Sequence, residues 1–139
     1  RTQLGQLIEG DKVNLELAMP ADGRFGGHMV AGHVDGSGDF EAQQAAARSV
    51  EMTFRCDRAL APYVAEKGSV CVDGVSLTVN RVIDEDNSFR FKVNVIPHTL
   101  AITTLGTLKT GDKVHIEVDQ IARYIKRLHD CNDWDQKRC

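Results

Sequence analysis

Thr103-Thr104-Leu105-Gly106-Thr107-Leu108-Lys109-Thr110-Gly111-Asp112-Lys113-Val114-His115-Ile116-Glu117 has a near copy at the other end of the chain. Thr2-Gln3-Leu4-Gly5-Gln6-Leu7-Ile8-Glu9-Gly10-Asp11-Lys12-Val13-Asn14-Leu15-Glu16 aligns with it at a constant offset of 101 residues, and nine of the fifteen pairs are identical. Solenoid repeats recur every ~20–50 residues, so this offset is too long for a solenoid and matches the length of a small domain. The expected organisation is the closing segment of one domain copy followed by a whole second copy. Both stretches end in alternating apolar and polar residues (Val13, Leu15, Leu17 and Val114, Ile116, Val118), the period of a half-buried strand.

The intervening residues carry the same period. Val50, Met52, Phe54 and Cys56 alternate, as do Phe89, Phe91, Val93 and Val95 after the polar turn Asp84-Glu85-Asp86-Asn87-Ser88. Ser69 to Val82 is β-branched and broken by Asp73-Gly74, a hairpin dipeptide. Gly26-Gly27, Gly32 and Gly36-Ser37-Gly38 punctuate the earlier part. Many short strands with regular turns predict a barrel or sandwich. Two helices interrupt the pattern. Asp57 to Ala65 is a short one, capped by Asp57 and limited by Pro62. Asp119 caps the second, whose apolar stripe is Ile121, Tyr124, Ile125 and Leu128. Basic residues crowd its later turns. That stripe must pack either on its own barrel or on another subunit. Cys131 to Cys139 is polar and expected to fray.

Composition narrows the function classes. The 139 residues are 42% hydrophobic with a net charge of −3, an ordinary globular balance. The absence of a Lys/Arg block argues against nucleic acid, and the absence of a long apolar run argues against a membrane span. The four cysteines, Cys56, Cys71, Cys131 and Cys139, form no close pair of the kind zinc requires. They read as free thiols of a reducing compartment.

Three motifs hold the candidate chemistry. The first, Arg24 to Gly36, carries His28 and His33 among glycines that permit close backbone approach. His28 reads as structural, while His33 divides evenly between structural and functional roles. The second runs from Lys67 to Val79. Ser76 and Thr78 lie two apart and so face one side of a strand, where they can serve a polyol or the polar edge of a heterocycle, or simply face water. Asp73 reads first as a turn residue. In the third, Ile96-Pro97-His98-Thr99-Leu100, Pro97 removes a ladder donor and opens the sheet edge.

In this order, the segments GDKVNLE, RFGGHMVAGHVDG, KGSVCVDGVSLTV, IPHTL and GDKVHIEVDQIARY resemble riboflavin synthases, over Thr2 to about Leu128. The resemblance implies an all-β fold: a six-stranded Greek-key β-barrel followed by a C-terminal amphipathic helix. Residues 1–27 would close a truncated first lumazine-binding barrel, 28–118 would form the complete second barrel, 119–130 the helix and 131–139 a tail. It also implies a transferase reaction. Two molecules of 6,7-dimethyl-8-ribityllumazine dismutate, one giving a four-carbon unit to the other, to form riboflavin and 5-amino-6-ribitylamino-pyrimidinedione. No metal or other cofactor is implied. The partners are the lumazine and riboflavin, in a cytoplasmic homotrimer whose sites pair the first barrel of one subunit with the second barrel of its neighbour.

Carried over by motif, the substrate-binding residues are Gly32, His33, Val34, Lys67, Ser76, Leu77, Thr78, Val95, Ile96, Pro97, His98, Thr99 and Leu100. Asp73, His33 and Asp119 are candidate acid or base groups. The family's first barrel carries a cysteine in a motif NGxCLTV. Here Ser76 stands at that place, as befits a second barrel, and Cys71 is no substitute. The isolated chain is therefore expected to bind ligand but to turn over weakly. The alternatives are a non-catalytic lumazine- or flavin-binding protein, as in luminous bacteria, or an inert oligomerisation module. Retention of His33, Lys67, Ser76 and Thr78 favours the enzyme, because the second barrel of that binding protein has lost its ligand.

Overall fold

The computed structural model describes residues 2–136. Six antiparallel strands close into a barrel: β1 (Gly36–Ala46), β2 (Ser49–Asp57), β3 (Ser69–Val72), β4 (Val75–Asp84), β5 (Ser88–Val95) and β6 (Lys113–Val118). Their order around the barrel is β1-β2-β5-β4-β3-β6, and β6 returns between β3 and β1 to leave no open edge. Hairpins join β1 to β2, β3 to β4 and β4 to β5. The β3–β4 turn uses Asp73 and Gly74 at φ 47° and 82°, the left-handed pair of a type I′ turn.

Alternation places one side chain of each pair inside. Phe40, Met52, Phe54, Phe89, Phe91, Val93 and Ile116 fill the barrel. Phe40–Phe54 and Phe54–Phe91 ring centroids lie 5.6 and 5.4 Å apart. Each such side chain contributes about 1.5–3 kcal/mol by burial. β1 was not foreseen in the sequence, because its outer half, Glu41 to Ala46, mixes small and polar residues over a bulge between Phe40 and Ala42.

The helical predictions hold in kind but differ in detail. Asp57 does cap a helix, accepting the Ala59 N–H at 2.8 Å, but with Pro62 inside it the element is a 3-10 helix over Arg58–Tyr63. The segment at Pro97 does not simply open an edge. Pro97 occupies the first turn of a short helix, α1 (Pro97–Ile102), where its missing N–H costs nothing. Asp119 caps α2 (Gln120–Gln136) by accepting the Ile121 N–H at 2.9 Å. α2 continues past the expected end at residue 130, and residues 137–139 lie outside the described residues. Its stripe of Ile121, Tyr124, Ile125 and Leu128 is exposed. Among the described residues no helix is long and apolar enough to cross a membrane.

The two repeats share local geometry and differ in burial. Leu4–Gln6 and Thr104–Thr107 are both 3-10 turns. Asp11 accepts the Ile8 N–H at 3.0 Å, and Asp112 accepts the Lys109 N–H at 2.7 Å. Gly10 and Gly111 have φ 97° and 95°. Beyond this point the copies part. Val114, Ile116 and Val118 are buried in β6, whereas Leu15 and Leu17 are 91% and 93% exposed. The strand expected at Val13–Leu17 is absent. β6 is a strand because β1 and β3 flank it, and no described strand flanks residues 13–17.

Candidate functional site

The hydroxyl row lies on the outside of the hairpin β3–β4. Leu77 and Val79 point into the core, so Ser76 and Thr78 share the opposite face, Ser76 half-buried and Thr78 exposed. Thr78 pairs with Ser69 across the hairpin, and the Lys67 N–H bonds the Val79 carbonyl at 2.8 Å. Lys67 thus continues the ladder just beyond Thr78, with Ser76 at the far end of the same row. Lys67 adopts φ 66°, left-handed for a residue with a side chain. Such a backbone costs about 1 kcal/mol or more and concentrates at functional sites.

The linker from the first motif folds onto this row. His28 donates its N–H to Ser76 Oγ at 3.1 Å, and its Nδ1 lies 2.7 Å from the same oxygen. Gly27 passes so close that an added Cβ would fall 2.2 Å from Ser76 Oγ. His28 Nε2 is enclosed without a partner. Ser76 is therefore already engaged, and His28 is fastened to the row that the sequence singled out.

Further along, the linker is held by a residue that the motif search passed over. Glu117, buried on β6, accepts the Ala31 and Gly32 N–H groups at 2.9 and 3.0 Å. Its identity with Glu16 in the repeat was the available signal. Arg123 of α2 reaches back to the Asp35 carboxylate at 2.6 and 2.8 Å and to the His33 carbonyl at 3.0 Å. Asp35 also accepts the Val118 N–H at 2.8 Å. His33 thus stands exposed beside α2, in a cleft of about 330 Å³ that also includes Glu117, Gln120, Tyr124 and Arg127. Val34 is half-buried just before β1.

The third motif borders a different cleft, of about 620 Å³, where Pro97 and Leu100 face Gln43, Gln44 and Val50. Ile96, Pro97 and His98 are exposed, and Thr99 and Leu100 half-buried. Val95 and Leu77 belong to the core, so their side chains are committed to the barrel. β4 pairs with β5 at Val79–Val93, and continuing this register sets Leu77 level with Val95. The hydroxyl row and the 96–100 segment therefore occupy neighbouring strand ends. Neither cleft is lined by Lys67, Ser76 or Thr78.

Two of the candidate acids, Asp119 and Asp73, each serve local structure. Asp119 spends an oxygen on its helix cap. Asp73 sits in its turn and accepts the His115 N–H at 2.7 Å. Burial raises its pKa above the usual carboxylate range, against the lowering effect of that bond and of His115. Cys71 pairs directly with Ser76 across the hairpin and so shares its outer face, where burial, then the Glu117 charge, pushes its thiol up to about 12. A thiol so protonated is no nucleophile at neutral pH.

Comparison with known proteins gives this geometry its context. Residues 31–119 match the lumazine binding domain family. The chain is 45% identical over 128 residues to the riboflavin synthase of Photobacterium phosphoreum, covering 92% of this chain and 57% of that protein. It is 41% identical over 133 residues to the riboflavin synthase of Bacillus subtilis (strain 168), covering 95% of this chain and 60% of that protein. This chain thus spans less than two thirds of the length of these relatives. Among solved structures, LumP complexed with 6,7-dimethyl-8-(1'-D-ribityl) lumazine matches with a TM-score of 0.68 at 21% identity, over 84% of this chain and 60% of that one. LumP complexed with riboflavin matches with a TM-score of 0.56 at 20% identity, over 72% and 53%. Both likenesses concern the fold.

Proposed function

The chain belongs to the lumazine-binding domain family as a riboflavin synthase-like barrel, and on that premise we propose that it is the substrate-binding second half of a riboflavin synthase. Its reaction is the dismutation of two 6,7-dimethyl-8-ribityllumazine molecules, one bound by this barrel and one by a first barrel. The observation that carries the proposal is the repeat. Residues 2–16 keep the turn geometry of 103–117 while their strand residues stand exposed, as the closing strand of another barrel would without its neighbours.

The chemistry suits such a site. Two copies of one flat heterocycle must be stacked in opposed orientation, and holding them so supplies much of the rate. Lys67, Thr78 and the nearby Ile96 to Leu100 offer one cation, a hydroxyl and apolar flanks on the barrel surface, and Ser76 adds a second hydroxyl once the His28 linker lifts from it. Lys67 can meet the ribityl hydroxyls or stabilise negative charge on a deprotonated lumazine. The hydroxyls can take ring carbonyl or imide edges. His33 and Gly32 join from the linker. An open half-site of this kind is completed by a second surface, and neither the 620 nor the 330 Å³ cleft includes Lys67 or Ser76. The exposed stripe of α2 is the proposed contact of a homotrimer.

Equilibrium dialysis with riboflavin and a lumazine turnover assay test the proposal. Saturable uptake with feeble turnover is expected. Lys67→Ala and Ser76→Ala should each weaken riboflavin binding and leave the fold intact. No saturable uptake by the wild-type chain would refute the binding role, and full turnover by the chain alone would refute the division between two barrels.

A further inference from the structure

The repeats touch each other through a pair of reciprocal bonds. Gln3 and Thr104 are counterparts in the repeat, as are Asn14 and His115. The Gln3 N–H donates to His115 Nε2 at 2.7 Å. The Thr104 N–H donates to Asn14 Oδ1 at 2.8 Å. Each repeat thus offers a backbone donor to the other repeat's side-chain acceptor. Asn14 adds bonds from Nδ2 to the Asp73 carbonyl at 2.8 Å and to Thr104 Oγ1 at 2.9 Å. The two halves of the joint look alike but differ chemically. An amide keeps its acceptor at any pH, whereas an imidazole nitrogen loses its lone pair on protonation.

We infer that His115 is a pH-sensitive latch that holds the first-repeat segment against the second barrel. With Nε2 accepting, the neutral ring carries its proton on Nδ1, 3.6 Å from Asp73 Oδ1. Protonation puts a second N–H on Nε2, which then opposes the Gln3 N–H donor to donor. The cationic ring has no acceptor left, and its attraction to Asp73 holds it where it is. The latch half of the joint opens, while the Asn14 half stays closed.

The other charges around the ring do not cancel this effect. Lys113 and Glu117 share its side of β6, but Lys113 is bound to Asp39 of β1 at 2.6 Å and Glu117 to the linker amides. β1 sets the neutral Ser37 opposite His115. From β3, Cys71 shares the outer face with Glu117, but burial keeps its thiol protonated and uncharged. The first-repeat segment contributes the neutral Gln3 and Asn14, and Glu16, whose charge bears on Cys71. Among the described residues, Asp73 is the one acid within ion-pair distance of the ring.

The docked segment requires the neutral ring, so docking weakens when the ring takes up its second proton. The test is amide hydrogen exchange and ¹H–¹⁵N spectra of the whole chain from pH 8 to 5, corrected for intrinsic exchange. Losing one such bond should cut the protection of the Gln3 amide by about three- to tenfold. Its shift should follow the His115 ring resonances, while the Thr104 amide on Asn14 stays put. In His115→Asn, which copies the Asn14 half, both amides should be insensitive to pH. A Gln3 amide indifferent to pH in the wild type overturns the latch. So does a pH response that survives in His115→Asn, or one shared equally by Thr104.

Discussion

Replacing Asp73 by asparagine separates a turn residue from a catalytic one. Asp73 opens the β3–β4 turn at φ 47°, and Asn-Gly is a favoured pair at that conformation. Asn Oδ1 can keep the 2.7 Å bond from the His115 N–H. What disappears is a carboxylate whose pKa is raised, first by burial, and only partly offset by that bond and by His115. A raised folded-state pKa means that the folded protein takes up its proton more readily than the unfolded chain. Wild-type stability therefore gains as pH falls through the raised value, and the charge is a liability at neutral pH. Turn preference and relief of the buried charge together should stabilise Asp73→Asn by about 1 kcal/mol at pH 7, within the usual range for such substitutions. For a chain of this size that is a rise of roughly 3–5 °C in Tm. The advantage should shrink toward the turn contribution alone at acid pH. Thermal melts at several pH values, with riboflavin affinity and turnover in a two-barrel protein, form the assay. A lower Tm at pH 7 would refute the turn account. Turnover lost by more than about tenfold with affinity unchanged would make Asp73 an acid or base of the reaction.

Other residues separate the roles of core, linker and surface. Ile116→Ala should cost about 2–5 kcal/mol in urea denaturation, while Leu15→Ala, its counterpart, should change the stability of this chain by less than about 0.5 kcal/mol; equal losses would contradict the exposure of residues 13–17. Glu117→Ala leaves the Ala31 and Gly32 N–H groups without their acceptor and should cost about 1–3 kcal/mol, with faster proteolysis of the linker between Gly26 and His33; an unchanged cleavage pattern would rule out the anchoring role. On the outer face of β1, Asp39 is held below the usual carboxylate range chiefly by its hydrogen bond to Lys113, helped by the charges of Lys113 and Arg55. Its stabilising contribution should be complete above about pH 4–5 and fade as pH falls through the depressed value. Asp39→Asn should therefore melt below wild type at pH 7, with the gap narrowing as pH falls through the depressed value, and a gap that does not narrow in acid would refute the pairing.

The barrel was largely readable because its information is local. Alternating apolar residues in Val50 to Cys56 and Phe89 to Val95, the Asp73-Gly74 turn and the Asp57 and Asp119 caps each depend on a few neighbours in sequence. β1 escaped notice because half of it faces solvent over a bulge and carries no apolar alternation. The helix at Pro97 was missed because proline stops a strand and starts a helix equally well. The motif-derived Ser76 and Thr78 share the outer face of β4, and Lys67 joins the same ladder through its N–H bond to the Val79 carbonyl. That His28 would seize Ser76, that Glu117 would hold the linker, and that Arg123 would clasp Asp35 were contacts between distant segments with no local periodicity to announce them.

The duplication and the strand pattern belong to the linear order of residues, which suffices to specify turns and the inward face of each strand. Whether an amphipathic segment becomes a strand is a different matter. Val13 to Leu17 and Val114 to Val118 carry the same alternation, yet one lies bare and the other is sealed in the barrel. A strand is completed by the hydrogen bonds and side chains of its neighbours, so segments of like alternation part company when, among the described residues, one is flanked by strands and the other is not.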